Sequence, residues 1–196
     1  KKNSSILVMF SYEMLPVLSE LGYNNVTLAF DSPRTSIYNI AKYFGYKVKT
    51  LEEIENMKFN VVLGNPPYQG QSQLHQQFFN KALHYLEDGG YLAFIQPASP
   101  YFNKTEGRKH EALMRKNVCE YESNVSILSS SVFDNAYVAN DLALTILKKK
   151  VNKNKNIMSI TYKNGDSYNN IDLSHINYLG IDPIIFKNIE DKYTSY

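Results

Sequence analysis

The sequence predicts an α/β protein whose mostly parallel sheet is finished by an antiparallel hairpin, and three observations carry that expectation. Over residues 1 to 100, short β-branched or aromatic runs alternate with helix-length amphipathic stretches, the pattern of βαβ units. Beyond Pro100 this gives way to two strand-like runs, Tyr121 to Leu128 and Leu142 to Lys149, with a thirteen-residue loop between them, which suits an antiparallel pair on a mixed sheet. A length of 196 residues with 43% apolar and 20% charged content suits one globular domain with a sizeable core.

Taken in order, Ile6 to Phe10 reads as the first strand, and Tyr12 to Leu21 as a helix that Gly22 ends. Val26 to Phe30 is the second strand, closed by Asp31. Ser32 can then cap the next helix with Pro33 at its first position, and Ile37, Ile40, Ala41 and Phe44 form its apolar stripe before Gly45. Tyr46 to Lys49 is a weak third strand and Phe59 to Leu63 a fourth. Leu74 to Leu86 has the helical period and is terminated by Gly89-Gly90, after which Tyr91 to Gln96 is a fifth strand. A further helix is expected within Lys104 to Asn117, and Ile157 to Tyr162 suits one more strand. Two regions are expected, 1–150 as the main domain and 151–196 as a polar, asparagine-rich extension, with no internal repeat. A first residue of lysine rather than methionine fits a piece of a longer product.

Composition excludes several classes. The longest apolar runs, such as Val26 to Phe30 and Leu142 to Leu147, fall far short of the roughly 18 to 20 residues of a membrane span. No secretory segment opens the chain. The single cysteine, Cys119, can form neither an internal disulfide nor a multi-cysteine metal site, so a reducing, cytoplasmic setting and no bound metal are expected. The net charge of +2 is too small to announce a nucleic-acid partner. Its basic residues are unevenly spread: Lys148, Lys149, Lys150, Lys153 and Lys155 cluster where a strand ends. That cluster reads either as a solvated strand end or as a phosphate-contacting patch, for which Lys148, Lys149 and Lys150 are the candidates.

The chemistry is concentrated in Asn65-Pro66-Pro67-Tyr68, which follows the fourth strand and so falls at the carboxyl end of the sheet, where open α/β sheets bind ligands. Two successive prolines fix φ and remove two N–H donors, so the carbonyls of Asn65 and Pro66 are presented with no local donor competing for them. Such a site wants a donor. An exocyclic amine offers two N–H groups, and accepting both through the Asn65 side-chain oxygen and the Pro66 carbonyl orients the nitrogen lone pair towards an electrophile. Tyr68 adds a flat face on which a planar base can stack.

These residues resemble the amino-methyltransferases, in particular the N6-adenine DNA methyltransferases of restriction-modification type. "FNVVLGNPPYQG", the helix "LHQQFFNKALHYLEDGG" and "YLAFIQPASPYF" are similar to that family's run from catalytic loop to fifth strand, and "SVFDNAYVANDLALTILKK" to its later loop and final strand. The order, with the cofactor region ahead of the catalytic loop, is the family's γ arrangement. The resemblance spans about residues 5 to 150 and implies a Rossmann-like S-adenosylmethionine-dependent methyltransferase fold, with 151–196 an extension or the start of target recognition. It implies methyl transfer to a flipped adenine of double-stranded DNA, with Asn65, Pro66, Pro67 and Tyr68 catalytic, and Tyr68 and Phe133 stacking on the base. It implies S-adenosylmethionine as cofactor, held by Phe10, Glu13, Asp31 and Asn65. A restriction or specificity subunit would be a natural partner.

Each role has a plainer alternative in the sequence: loop packing for Phe133, helix capping for Asp31, and an exposed place in a first helical turn for Glu13. The family's loop after the first strand is glycine-rich, whereas no glycine stands between Ile6 and Leu21 here, and Phe10, Ser11 and Tyr12 would crowd that place. An acid at the end of the third strand is also missing unless Glu52 or Glu53 serves. Two other readings follow: a degenerate, DNA-binding relative, and an enzyme acting on a ribosomal-RNA guanine amine or a protein glutamine, since the loop recognises an amine rather than a whole substrate.

Overall fold

The computed structural model describes residues 3–67, 74–102, 108–129, 141–151, 157–161 and 165–172. Its strands are β1 (Ile6–Met9), β2 (Val26–Phe30), β3 (Lys47–Thr50), β4 (Phe59–Gly64), β5 (Leu86–Pro97), β6 (Tyr121–Leu128), β7 (Leu142–Val151), β8 (Ile157–Thr161) and β9 (Ser167–Asp172). The helices are α1 (Leu15–Glu20), α2 (Thr35–Tyr43), α3 (Leu74–Tyr85), α4 (Ser99–Phe102) and α5 (Lys109–Glu120). The described strands form one sheet in the order β3-β2-β1-β4-β5-β7-β6-β8-β9. Strands β1 to β5 run parallel, and β7 inserts antiparallel between β5 and β6. This is the expected mixed sheet and hairpin. From the extension, β8 pairs parallel with β6 and β9 antiparallel with β8, so residues 157–161 and 167–172 continue the same sheet.

Alternation along β1 divides the core. Ile6 and Val8 face α1 and α2, packing with Leu15, Leu18, Leu28, Ile37 and Ala41, whereas Leu7 and Met9 face the layer of α3 and α5 with Val62, Phe79, Phe94 and Met114. A strand buried on both faces reads as a continuous apolar run, which is what "ILVM" is. Fully burying each of these large side chains is worth about 1.5–3 kcal/mol. Phe79 and Phe94 meet edge to face at 5.8 Å and tie α3 to β5.

Two of the three predicted glycine stops are Schellman closures. Gly22 and Gly45 have φ of 76° and 72°; Tyr23 N–H reaches the Leu18 carbonyl at 3.0 Å, and Tyr46 N–H the Ala41 carbonyl at 2.9 Å. Elsewhere the elements depart from expectation. The first helix opens as a 3-10 turn over Tyr12–Met14 before α1 begins. Helix α2 starts at Thr35 with Arg34 as its N-cap, because Ser32 precedes a proline and is biased towards extended backbone; no side chain caps that helix. Helix α3 stops at Tyr85 rather than Leu86, since Leu86 is already paired with Phe59 and buried. The Gly89-Gly90 pair expected to terminate that helix falls instead in an irregular stretch within β5.

Candidate active site

Strand order reverses at β1, whose neighbours are β2 and β4, so the carboxyl ends of β1 and β4 flank the switch-point crevice where doubly wound sheets bind ligands. Asn65, Pro66 and Pro67 stand at that place. The ladder continues one step beyond β4, with the Asn65 N–H donating to the Met9 carbonyl at 3.4 Å, which ties the loop to the tip of β1. Gly64, just before it, pairs with Met9 on one side and Phe94 on the other. A Cβ on Gly64 would come within 2.4 Å of the Phe94 ring, so glycine is required for the close approach that fixes where the loop leaves the sheet. Asn65 is half-buried, Pro66 buried and Pro67 exposed. Tyr68 and Phe133, expected to stack on the base, lie outside the described residues.

Phe10 and Asp31 stand at neighbouring strand ends. Phe10 follows β1 with φ of 59°, and is the one non-glycine residue with positive φ among those described. Its ring meets Phe30 edge-on at 5.8 Å and lies 4.4 Å from Phe78 of α3. Asp31 follows Phe30 at the end of β2, and its carboxylate is exposed. The capping alternative for Asp31 is not realised, because Arg34 is the N-cap of α2 and no side chain caps it. Glu13, exposed in the 3-10 turn, accepts a hydrogen bond from the buried Ser11 hydroxyl at 3.2 Å. After β3, Glu53 accepts from the Thr50 N–H at 2.7 Å while Thr50 Oγ1 accepts from the Glu53 N–H at 3.2 Å, a local capping pair that occupies this acid.

The lysines fall elsewhere. Because β7 runs antiparallel to β5, Lys148 pairs with Tyr91 midway along β5 and Lys149 reaches Leu86 at its start, whereas the β4 residue nearest the loop, Gly64, pairs with Phe94. Lys148, Lys149 and Lys150 are thus at the opposite end of the strands from Asn65. Each has an intramolecular contact: Lys148 lies 5.5 Å from the Tyr91 ring centroid, Lys149 donates to the Leu86 carbonyl at 2.8 Å and pairs with Asp88 at 3.4 Å, and Lys150 pairs with Glu122 at 2.9 Å. The solvated strand end is the reading that this arrangement supports.

The structure adds polar groups that sequence reasoning missed. Gln96 on β5 is fully buried, its amide N–H donating to the Tyr101 hydroxyl at 3.0 Å and the Met114 sulfur at 3.5 Å, and Tyr101 in turn hydrogen-bonds Thr145. Gln96 Oε1, Gln76 Oε1 and His75 Nε2 are buried without a hydrogen-bond partner among the described residues. His75 and Gln76 lie in the first turn of α3 and Gln96 near the carboxyl end of β5. One signal was available, a glutamine in the inward register of Leu92 and Phe94. Burial, and then the nearby Arg108 guanidinium, push the His75 imidazole pKa down to about 4. With an ordinary value of 6.5, the unfolded chain takes up a proton between pH 6.5 and about 4 that the folded chain refuses, so stability falls as pH is lowered through that window. Urea midpoints at pH 7 and pH 5 are expected to differ more for the parent than for His75→Gln; equal differences would remove His75 from this role.

The family model described as Eco57I restriction-modification methylase matches residues 17–133, more than half of the chain. A class I S-adenosylmethionine-dependent methyltransferase structure from Listeria monocytogenes superposes with TM-score 0.59 at 17% identity, covering 98% of this chain and 64% of that one. The methyltransferase subunit of a type I restriction-modification system from Streptococcus thermophilus gives 0.57 at 17%, covering 89% and 47%. A modification subunit of a type I restriction enzyme from Vibrio vulnificus gives 0.57 at 12%, covering 81% and 42%. The chain therefore spans less than two thirds of these proteins, and at such identity the likeness is one of fold. No curated protein matches the sequence. The matched family implies S-adenosylmethionine as the cofactor. The residues suit it at one end, where the exposed Asp31 carboxylate stands at the β2 terminus, and are tight at the other, where Phe10 follows β1.

Proposed function

The chain belongs to the Eco57I restriction-modification methylase family, and from that premise we propose that it transfers a methyl group to the N6 amine of an adenine flipped out of double-stranded DNA. The observation that carries this reading is Asn65-Pro66-Pro67 at the carboxyl end of β4, hydrogen-bonded to the tip of β1 at the switch point. When bound, S-adenosylmethionine supplies a sulfonium methyl electrophilic enough for direct transfer. The chain's own part is to hold and orient. The Asn65 side-chain oxygen and the Pro66 carbonyl accept the two amine N–H groups, and no N–H of Pro66 or Pro67 competes for them. Asp31 accepts the ribose hydroxyls of the cofactor, with Glu13 towards its amino group, and Tyr68 and Phe133 stack on the base, offsetting part of the unpairing cost. On this reading residues 1–150 are the catalytic domain, and target recognition and any restriction or specificity subunit lie outside it. Lys148 to Lys150, at the far end of the strands, are left out of the DNA footprint.

Incubation of duplex DNA with methyl-labelled cofactor, followed by digestion to nucleosides, is expected to return the label in N6-methyl-2′-deoxyadenosine. Label in methylguanine, in RNA alone or in a protein glutamine would change the substrate class and spare the fold. The second reading, a subunit that binds DNA without catalysis, is favoured by one observation, the Phe10 ring at the crevice. No label, together with no calorimetric response to millimolar cofactor, would establish it.

A further inference from the structure

We infer that Phe10 sets the cofactor affinity of this chain by closing the crevice with its ring. The inference rests on reading the crevice as the methyl-donor site. Phe30 packs against the α1–α2 core layer and Phe78 belongs to the α3–α5 layer, yet the Phe10 ring touches both, at 5.8 Å and 4.4 Å between centroids. A ring that reaches both layers lies across the carboxyl end of the sheet, between the Asp31 end of β2 and the helix that follows the catalytic loop. Its backbone, at φ of 59°, adopts a conformation that costs an L residue and costs glycine nothing. The Phe10 N–H donates to the Ala29 carbonyl at 3.2 Å, so the tip of β1 is held to β2 while the strained turn projects the ring. Left-handed backbone at a bulky residue persists where its surroundings over-determine it, and here the two aromatic contacts do so.

A ligand that needs backbone at the end of β1 must displace this ring, and its apparent affinity falls by the fraction of molecules in which the ring is out of the way. Displacement frees Phe10 from Phe78, so cofactor binding is felt by α3. Phe10 is a positioning residue for the cofactor, distinct from the groups that touch the reacting amine.

The test is calorimetric titration of the folded free chain with S-adenosylmethionine and with S-adenosylhomocysteine. Phe10→Gly is expected to bind at least about 10-fold more tightly than the parent, because the turn is relaxed and the ring is gone. Phe78→Leu, which leaves the turn intact and removes the closer aromatic partner of the ring, is expected to tighten binding by a smaller factor, and it serves where Phe10→Gly folds poorly by circular dichroism. Equal or weaker binding by both variants would overturn the inference while leaving the methyl-donor reading in place. No binding by the parent or by either variant at millimolar cofactor would overturn that reading and this inference with it.

Discussion

The Asn65→Ala variant is expected to fold as the parent does and to lose methyl transfer, with turnover falling by at least about 100-fold. The backbone N–H of residue 65, which donates to the Met9 carbonyl and ties the loop to the tip of β1, is kept by alanine. Turnover collapses because the deleted oxygen is an acceptor whose partner is the reacting amine, so its contribution is greatest when the nitrogen lone pair is aimed at the methyl. The Pro66 carbonyl that remains can take one N–H but cannot fix the direction of the lone pair. Asn65→Asp keeps an oxygen at the same place and is expected to retain more activity than Asn65→Ala. Transfer of labelled methyl to DNA separates the cases, with a thermal melt to show that each variant is folded. Near-parental transfer by Asn65→Ala would take the reaction away from this loop.

Legibility in the sequence followed how local each signal is. Val26–Phe30 and Tyr121–Leu128 appear in the structure with the expected bounds, because each is an apolar or alternating run with turn residues at its ends. The Asn65-Pro66-Pro67-Tyr68 run stood out in the sequence because two prolines and an asparagine after a strand restrict the backbone without help from the rest of the chain. Asp31 was legible as the residue that closes β2. The junction of α3 and β5 was not, since Tyr85-Leu86 continues the helical apolar period and only pairing with Phe59 makes Leu86 a strand residue. Strand β9, Ser167–Asp172, was hidden by its polar, asparagine-rich composition, which reads as loop. The place of Lys148 to Lys150 depends on the register of β7 against β5, a long-range property that no local pattern carries. The same holds for Phe10: the lack of glycine was visible in the sequence, but the left-handed turn and the ring bridging two core layers were not.

Asp31→Ala is expected to raise the dissociation constant for S-adenosylmethionine by about 10- to 150-fold, the equivalent of about 1.5–3 kcal/mol for charge-assisted hydrogen bonds to the ribose hydroxyls. Asp31 follows the last residue of β2, next to β1, and the Phe30 carbonyl beside it accepts from the Leu51 N–H at 3.1 Å, so the end of β2 is held by β3 while the side chain stays in solvent. With Arg34 as the N-cap of α2, an uncapped helix start gives Asp31 no local duty there. An exposed side chain of this kind contributes little to folding, so the melting temperature of Asp31→Ala is expected to stay close to that of the parent. Asp31→Asn, which keeps one acceptor oxygen and loses the charge, belongs between the two in affinity. Titrations are best repeated in the Phe10→Gly background, where tighter parental binding leaves room to measure a large loss. Affinity unchanged in both backgrounds would take the ribose away from Asp31, and a lowered melting temperature with unchanged affinity would return it to a structural role at the head of α2.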